Sequence, residues 1–462
     1  MNRLISLFRS RGTSASLAIM LLPAMAGAQR SVPIDTTYHA PMSVRSTLAG
    51  AYRLATGHDI LVGPFDEMGG RLVMLDLGTL QQRVLFEQDD STYVAGPGLM
   101  DPSRAAITLR FRRARDGRTR DMLVARAGER ARRALLITRM RSEEVTFRNA
   151  GVVLHGTLRL PDSPGPHPAV VLVHGSGPAT RNVGPFQTFY DRLGVAVLSF
   201  DKRGAGQSSG DWSSAGFNQL AGDVVAAVRL LRARPDIDRA SIGLSGSSQG
   251  GWVGTLAARA ALDSIGPGAV SWLAVRVGSG VTVAENVLWE RRSLLAAEGY
   301  PPAQVDSIIA FGRDVYALAA TGASWERSDT LARAVSSTGW FRRLYPSGRG
   351  RDDALWTWYQ RNAAVDAMPV LRTLPIAVDW TLGRYDDNVP TVVSAPLIGA
   401  ALAGSPSADW SVRVLPSDHT FLGHGPGPGG RDIARGAFVA GYWDALETFM
   451  RRQTTRAPVV AP

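Results

Sequence analysis

Residues 240–262, "ASIGLSGSSQGGWVGTLAARAAL", decide the fold class of this chain. Their first part has the small and apolar composition of a buried strand, and the remainder has the composition of a helix. Gly246, Ser248 and Gly250 lie at the junction and form a G-x-S-x-G pattern. Side chains at the two glycine positions would clash with the backbone of a sharp strand-to-helix turn, which would raise the Ser248 hydroxyl above the sheet. Ser248 is preferred over Ser247 because it stands in the middle of the pattern.

The alternation of apolar strands and helices continues on both sides of this stretch. Upstream, "AVVLVHG" (169–175) and "VAVLSFD" (195–201) are typical of buried strands, and a helical pattern occupies 218–235. Downstream, "PIAVDWTLG" (375–383) and "WSVRVLP" (410–416) are again typical of strands. Buried strands that alternate with helices indicate a parallel sheet covered on both faces. The sequence therefore predicts an α/β fold with a doubly wound, mostly parallel sheet.

The predicted α/β domain covers residues 143–456 and is accompanied by three other segments. Residues 29–142 contain short strand-like segments separated by turn signals, which predicts a small β-rich N-terminal domain. Residues 283–371 are too long for an ordinary connection and show helical spacing, so they are predicted to form a helical insertion. Residues 457–462 are predicted to be a flexible tail.

Residues 1–28 have the layout of a secretory signal. Three arginines precede an apolar run from 15 to 25, and small residues occupy 26–28. The apolar run is shorter than the roughly 20 residues that a membrane-spanning helix needs, although an uncleaved membrane anchor is the alternative interpretation. We expect cleavage near Ala28-Gln29 and a periplasmic or secreted protein without stable membrane insertion.

Composition excludes several kinds of chemistry. The 462 residues include no cysteine, which rules out disulfides, a thiol nucleophile and cysteine metal sites. No H-E-x-x-H motif is present, so the sequence predicts neither a metal nor a cofactor. The net charge is +11, and Lys202 is the single lysine among 51 basic residues. Net charge concerns solubility and association rather than fold, and no nucleic-acid partner is predicted.

Thirteen of the arginines fall between 104 and 141, many of them alternating with apolar residues. This spacing is typical of the solvated face of an antiparallel sheet. Binding to an anionic polymer or membrane is the alternative interpretation.

Three polar residues follow predicted strands in the order that a serine, an acid and a histidine take in strand–helix hydrolases. After Ser248, "TLGRYDDNVP" contains Asp386 and Asp387, of which Asp386 is preferred as the acid. Downstream, His419 follows the strand "WSVRVLP" within the short loop "SDH" and is preferred over His424, which falls in a glycine-rich run and is interpreted as a loop residue.

The backbone around two further residues is predicted to bind the oxyanion of an acyl-transfer reaction, which needs two preorganised N–H groups. One is expected from Gln249, directly after Ser248, and the other from Ser176 in the loop "HGSGP". His174 opens this loop and is interpreted as structural, because it precedes Ser248 in the chain.

With the motifs "GSSQG", "HGSGP", "DKRGAGQSSG" and "GRYDDNVP", residues from about 143 to 452 resemble an α/β-hydrolase. They are similar to serine-aminopeptidase-like and dienelactone-hydrolase-like esterases, and to the catalytic domains of prolyl-oligopeptidase-type peptidases. The resemblance implies a serine hydrolase in which the insertion at 283–371 forms a lid over the active site. About a hundred N-terminal residues cannot form the seven-bladed propeller of the oligopeptidases, which argues against peptide specificity.

The function predicted from these observations is an exported carboxylesterase that cleaves small or medium acyl esters through an acyl-enzyme on Ser248. A serine peptidase of the aminopeptidase or acylaminoacyl-peptidase type, acting on short peptides, is the alternative. It would need carboxylates to bind an ammonium group, and the insertion offers Glu285, Glu290 and Glu298. A non-catalytic binding protein that docks through its basic N-terminal region is a third hypothesis. Five tryptophans of the insertion are interpreted as packing residues or as the lining of an acyl pocket: Trp289, Trp325, Trp340, Trp356 and Trp358.

Overall fold

The structure is a computed structural model that describes residues 33–322, 325–345, 354–426 and 432–454. The predicted signal sequence at 1–28 and the predicted tail at 457–462 lie outside these residues. The described residues form three β-sheets, of nine, eight and two strands, together with twelve α-helices.

The N-terminal part is one antiparallel sheet of nine strands in the order β4-β3-β2-β1-β9-β8-β7-β6-β5. Its outermost strands, β4 and β5, follow one another with only Leu85 between them, so the two edges of the sheet meet in the chain. The enclosed core includes Tyr52, Tyr93 and Phe111, whose rings contact edge to face. The elements are α1 (Met42–Leu48), β1 (Gly50–Leu54), β2 (Asp59–Pro64), β3 (Leu72–Asp76), β4 (Gln81–Val84), β5 (Phe86–Glu87), β6 (Thr92–Ala95), β7 (Ile107–Arg113), β8 (Thr119–Arg126) and β9 (Arg132–Leu136).

Arginines of β7–β9 surround one buried carboxylate on this sheet. Arg112, Arg120 and Arg133 each form an ion pair with Asp121, at N–O distances of 2.5, 2.9 and 2.7 Å. Hydrogen bonds from these three guanidinium groups lower the pKa of Asp121 to about 2, although burial acts in the opposite direction. Part of the positive charge of the arginine-rich stretch is therefore neutralised by a carboxylate of the same sheet.

The second sheet has eight strands in the order β10-β11-β13-β12-β14-β15-β16-β17. Its first pair is antiparallel, β11 is antiparallel to β13, and the strands from β13 to β17 are parallel. The strands are β10 (Met140–Asn149), β11 (Val152–Pro161), β12 (His167–Val173), β13 (Ala196–Phe200), β14 (Ile237–Ser247), β15 (Trp272–Arg276), β16 (Ala377–Gly383) and β17 (Trp410–Leu415). The sheet begins at Met140, three residues before the boundary expected at 143.

Helices cover both faces of this sheet. On one face α2 (Pro185–Arg192) and α12 (Tyr442–Thr454) pack against Val170, Leu172 and Val197. On the other face the helices pack against alternate strand residues, and these helices are α3 (Phe217–Arg232), α4 (Gly250–Ser264) and α11 (Thr391–Ala403). The alternation of strand side chains between the two faces explains why these strands are apolar throughout.

Between β15 and β16 the chain forms a helical segment with its own core. Two backbone hydrogen bonds, here called the neck, join the two ends of this segment. In them the N–H groups of Val283 and Ala284 donate to the carbonyls of Val365 and Ala363. Four aromatic rings lie within 6.0 Å of the ring of Trp356. The helices are α5 (Val283–Ala297), α6 (Pro302–Thr321), α7 (Trp325–Ala334), α8 (Phe341–Leu344), α9 (Ala354–Asn362) and α10 (Met368–Leu371).

The N-terminal sheet contacts the chain immediately after the loop "HGSGP". The carboxylate of Asp66 accepts hydrogen bonds from the side chains of Thr180 and Asn182, and Phe65 forms an isolated bridge with Val183. A short hairpin, β18 (Leu422–Pro426) and β19 (Asp432–Phe438), follows β17. Among the described residues, no helix combines the length and hydropathy required to cross a bilayer.

Candidate active site

Ser248 lies on a tight turn between β14, which ends at Ser247, and α4, which begins at Gly250. Its φ of +54° falls in the left-handed region, which is unusual for a residue with a side chain. Close packing explains the glycines of the pattern: a Cβ at Gly246 would lie 2.3 Å from the Gly250 carbonyl, and one at Gly250 would lie 2.6 Å from the Val173 carbonyl. The turn can therefore form only with glycine at both positions.

The histidine expected from the sequence reaches this serine. His419 lies in the loop after β17, and its Nε2 is 3.1 Å from Ser248 Oγ. On the opposite side of the ring, Nδ1 lies 2.8 Å from Asp386 Oδ2. The structure thus brings Ser248, His419 and Asp386 into one hydrogen-bonded chain, although 171 residues separate the serine from the histidine.

Asp386 is held by the backbone as well as by His419. It follows β16, its side chain is fully buried, and its Oδ1 accepts hydrogen bonds from the N–H groups of Asn388 and Val389, both at 2.8 Å. The neighbouring Asp387 is exposed. Of the two aspartates left open by the sequence, Asp386 is the one that contacts the histidine.

The loop "HGSGP" lies against the serine. A Cβ at Gly175 would be 3.6 Å from Ser248 Cβ and 3.4 Å from the Ser247 carbonyl, so the backbone of this loop passes directly beside the turn. Ser176 is exposed, and Gln249 is buried at the start of α4. Gly175, which precedes Ser176, and Gln249 therefore both adjoin Ser248.

His174 has a structural role. Its Nε2–H donates to the carbonyl of Phe200, and its ring packs edge to face on the Phe200 ring. Burial lowers the pKa of His174 to about 4, which keeps the imidazole neutral at physiological pH. His174 makes its contacts with β13, while His419 makes the contact with Ser248.

One residue beside the site was not anticipated from the sequence. Lys202 follows β13 and is buried, and its Nζ donates hydrogen bonds to the Gly175 carbonyl at 2.9 Å and to Gln249 Oε1 at 2.6 Å. The signal that could have identified it is its singularity, because no other lysine occurs in the chain.

The helical segment touches the site through α5. Asn286 Nδ2 donates both to the carbonyl of Asn388, in the Asp386 loop, and to Glu290 Oε1, each at 3.0 Å. Burial raises the pKa of Glu290, and His419 and Asp386 are among the charges that influence it. The side chain of Glu285 instead caps the N-terminus of α5.

Glu298 pairs with Arg343 within the helical segment. Of the three carboxylates that the sequence offered there, only Glu290 is therefore directed to the site.

The structure also shows where the tryptophans of the insertion and His424 lie. Trp325 and Trp356 are buried in the core of the helical segment, and Trp358 packs against Phe217. His424, interpreted as a loop residue, instead lies on strand β18 and stacks on Tyr385 at 5.0 Å. The glycines and prolines around His424 read as a loop, whereas pairing with β19 makes this part of the chain extended.

The arrangement provides the parts of a nucleophilic acyl-transfer site: a hydroxyl, a base in hydrogen-bond contact with it, and a carboxylate that orients the base. Within the described ranges, no group of three or more His, Asp or Glu side chains is arranged to hold a metal ion.

The comparisons with known proteins agree with this fold. Residues 164–291 match the family model described as serine aminopeptidase, S33. Esterase EstD of Thermotoga maritima is 34% identical over 94 residues, which is 19% of this chain and 23% of that protein. An uncharacterised 31.7 kDa protein of Escherichia coli is 30% identical over 141 residues, covering 30% of this chain and 49% of that one. The chain thus spans about a quarter to a half of these curated relatives.

Similar solved structures include an esterase of Pyrococcus furiosus, with a TM-score of 0.43, 15% identity, and coverage of 68% of this chain and 92% of that one. Acetyl xylan esterase 1 of a Thermoanaerobacterium species has a TM-score of 0.38, 17% identity, and coverage of 69% and 89%. Sheet order, the turn at Ser248 and the family match lead to one conclusion. The chain has an α/β-hydrolase fold, and residues 164–291 within it are similar to the serine aminopeptidase S33 family.

Proposed function

We propose that this protein is a serine hydrolase that cleaves carboxylic esters of small or medium acyl chain length through an acyl-enzyme. The observation that carries the proposal is the 3.1 Å contact between Ser248 Oγ and His419 Nε2, with His419 Nδ1 on the buried carboxylate of Asp386. A neutral serine hydroxyl is a weak nucleophile, and a positioned base is what activates it.

In the proposed reaction, Ser248 Oγ attacks the ester carbonyl carbon while His419 Nε2 takes the hydroxyl proton. The negative charge moves to the carbonyl oxygen, where the backbone N–H groups of Ser176 and Gln249 stabilise it, each contributing on the order of 3 kcal/mol in the transition state. His419 then gives the proton to the departing alcohol, which leaves an acyl ester on Ser248. A water molecule, deprotonated by His419, releases the acid and restores the serine.

Asp386 has two tasks in this scheme. Its carboxylate fixes His419 in the tautomer with the proton on Nδ1, and it stabilises the imidazolium that forms during each half-reaction. The two backbone hydrogen bonds to Oδ1 support this assignment, because they hold the carboxylate in place before substrate binds.

The choice of an ester over a peptide is supported by the T. maritima relative, which is named an esterase. The helical segment at 283–371 is proposed to act as the lid of the acyl site, since α5 contacts the loop that carries Asp386.

A panel of p-nitrophenyl acyl esters, run beside aminoacyl p-nitroanilides, tests the proposal with the parent and Ser248→Ala. We expect the esters to be cleaved, Ser248 to be labelled by a fluorophosphonate, and Ser248→Ala to lose at least about 10⁴-fold in kcat. Labelling or ester turnover that is undiminished in Ser248→Ala would refute the nucleophile. Parent protein that is inactive on both series would favour the binding-protein hypothesis.

Glu290 favours a second candidate, a serine peptidase that acts on a free amino terminus. A partly buried carboxylate that is linked through Asn286 to the Asp386 loop is suited to bind a substrate ammonium group. Faster, Ser248-dependent turnover of the anilides than of the esters at matched concentration would support this candidate over the esterase.

Export is also proposed, on the pattern of residues 1–28. The expected mature protein starts at Gln29 in the periplasm or medium. Mass spectrometry of the N-terminus checks this, and an intact Met1 on membrane-bound protein would contradict it.

A further inference from the structure

Lys202 occupies an unusual position for a basic residue. It is 4% exposed, although lysine is among the residues least often buried. Its ammonium group donates hydrogen bonds to the Gly175 carbonyl and to the Gln249 side chain. Gly175 directly precedes Ser176, and Ser176 and Gln249 are the two residues proposed to bind the oxyanion. Arginine stands at all of the other 50 lysine or arginine positions, so the chain places its single compact ammonium group at this site.

We propose that Lys202 is a positioning residue that holds the two oxyanion-binding peptide groups in their working orientation. The inference rests on the proposed function, because it assigns to Lys202 the support of the Ser176 and Gln249 N–H groups. Lys202 does not touch the substrate in this proposal.

The geometry of one peptide unit carries the first half of the argument. The carbonyl of Gly175 and the N–H of Ser176 belong to the same planar group, and in a trans peptide they point in opposite directions. The only cis peptide bond among the described residues is Gly165-Pro166, so the Gly175-Ser176 bond is trans. With the carbonyl fixed on Lys202, the Ser176 N–H must point away from Lys202 and toward the opposite side of the loop.

The same contact strengthens the Ser176 N–H as a donor. A carbonyl that accepts a hydrogen bond from a cation is polarised, and hydrogen bonds in series reinforce one another. The ammonium also adds positive potential behind the peptide group, where an oxyanion on the other side would benefit from it.

The second contact fixes the other donor. Gln249 follows Ser248 directly and is buried, and its side-chain oxygen accepts from Lys202 Nζ. One ammonium group thus connects Gly175, in the loop after β12, with Gln249, directly before α4.

The surroundings of Lys202 are tightly packed. The cavity beside it has a volume of about 20 Å³, about the space of one water molecule, and is lined by residues that include His174, Asp223 and Val253. Burial lowers the pKa of Lys202 to about 7, with Asp223 acting in the opposite direction. Asp201 and Arg203 complete the charged groups of this loop, and they pair with Arg181 and Asp223.

The test compares Lys202→Met with Arg203→Met. Arg203 is a buried cation in the same loop, but it pairs with Asp223 on α3 and does not contact the loop "HGSGP". Rates on a p-nitrophenyl ester are expressed per site titrated with a fluorophosphonate, so that misfolded protein does not count. For Lys202→Met we expect kcat to fall about 100-fold with KM within about threefold, because the lost interaction acts in the transition state. Affinity for a phenylboronic acid, which mimics the tetrahedral state, should fall by a similar factor.

Arg203→Met should lower the melting temperature and keep kcat per titrated site within about threefold of the parent. If Lys202→Met does not fold, Gln249→Leu removes the second acceptor while keeping the backbone N–H, and a fall of about tenfold in kcat is expected. Parent-like kcat and boronate affinity in Lys202→Met, with Ser248→Ala inactive, would overturn the positioning role alone. Full activity of Ser248→Ala would instead overturn the proposed function.

Discussion

The loops at the carboxyl ends of the parallel strands and the helical segment between β15 and β16 are stabilised in different ways. The loops are held by hydrogen bonds to polar groups of low exposure, among them Asp386, Lys202 and His174. The helical segment is held by aromatic packing around Trp356 and by a two-bond neck. Directional hydrogen bonds therefore position the loops, where the proposed chemistry takes place, whereas side-chain volume and shape position the helical segment.

The largest expected effect is a loss of kcat on substitution of Asp386, the carboxylate of the loop region. Asp386→Asn should lower kcat about 10⁴-fold, because an amide no longer favours the His419 tautomer with the proton on Nδ1. Asp387→Asn is the matched control and should stay within about twofold, since Asp387 is exposed. Steady-state kinetics on one ester decides, and equal losses in both variants would contradict the assignment of the acid.

The next effect is on stability and addresses the helical segment. Trp356→Ala should lower the free energy of unfolding by about 3–5 kcal/mol, because Trp356 is 2% exposed and surrounded by rings. Trp410→Ala, on the exposed side of β17, should cost less than about 1 kcal/mol. Urea unfolding measures both, and a Trp356→Ala loss as small as that of Trp410→Ala would show that the aromatic core adds little.

Acid should perturb the loop region through His174. The pKa of His174 is about 4 in the folded protein against 6.5 for a free histidine side chain, so the unfolded chain binds more protons between these two pH values. The contribution of His174 to the free energy of unfolding is therefore at its maximum above pH 6.5. It falls by about 3 kcal/mol in total as the pH is lowered toward 4. His174→Gln keeps a donor for the Phe200 carbonyl, and its unfolding free energy should depend less on pH over that range. An unchanged pH dependence would assign the effect to other groups.

The smallest expected effect is on turnover in a variant of Glu290, which links the helical segment to the loop region through Asn286. Glu290→Gln should reduce turnover of substrates with a free amino group about tenfold, through loss of a charge-assisted hydrogen bond. Neutral esters should change less than twofold. Glu298→Gln, in which only the pair with Arg343 is lost, should affect neither substrate. Kinetics on a matched aminoacyl and acyl ester pair would detect the difference.

The sequence predicted the parts of the site that depend on local chain geometry. Ser248 was identifiable because the glycines around it are required by backbone contacts within a few residues. Asp386 and His419 were identifiable because parallel strands bring their carboxyl ends to one edge, so chain order predicts proximity. The sequence preferred Asp386 over Asp387, and the structure agrees, because Asp386 contacts His419 while Asp387 is exposed.

Features that depend on distant contacts were not predicted. Lys202 joins residues 27 and 47 positions away, and no local pattern encodes that. The place of the short, polar helix α7 within the predicted helical insertion also depends on Trp325, which packs into a core formed by other helices. The meeting of the two edges of the N-terminal sheet at Leu85 likewise depends on pairing with β3 and β6 at once.

The burial of the single lysine has a consequence for proteolysis. An endoproteinase specific for lysine has one cleavage site in the whole chain, at Lys202. Because that peptide bond lies in a loop tied to the strand ends, cutting requires the loop to open, and the rate of cleavage reports the population of the open form when reclosing is fast. Two fragments, ending and beginning at this position, would therefore accumulate at a rate set by the opening of the catalytic loops alone. An active-site inhibitor that orders these loops should slow the cut, which makes the native sequence its own reporter of local unfolding.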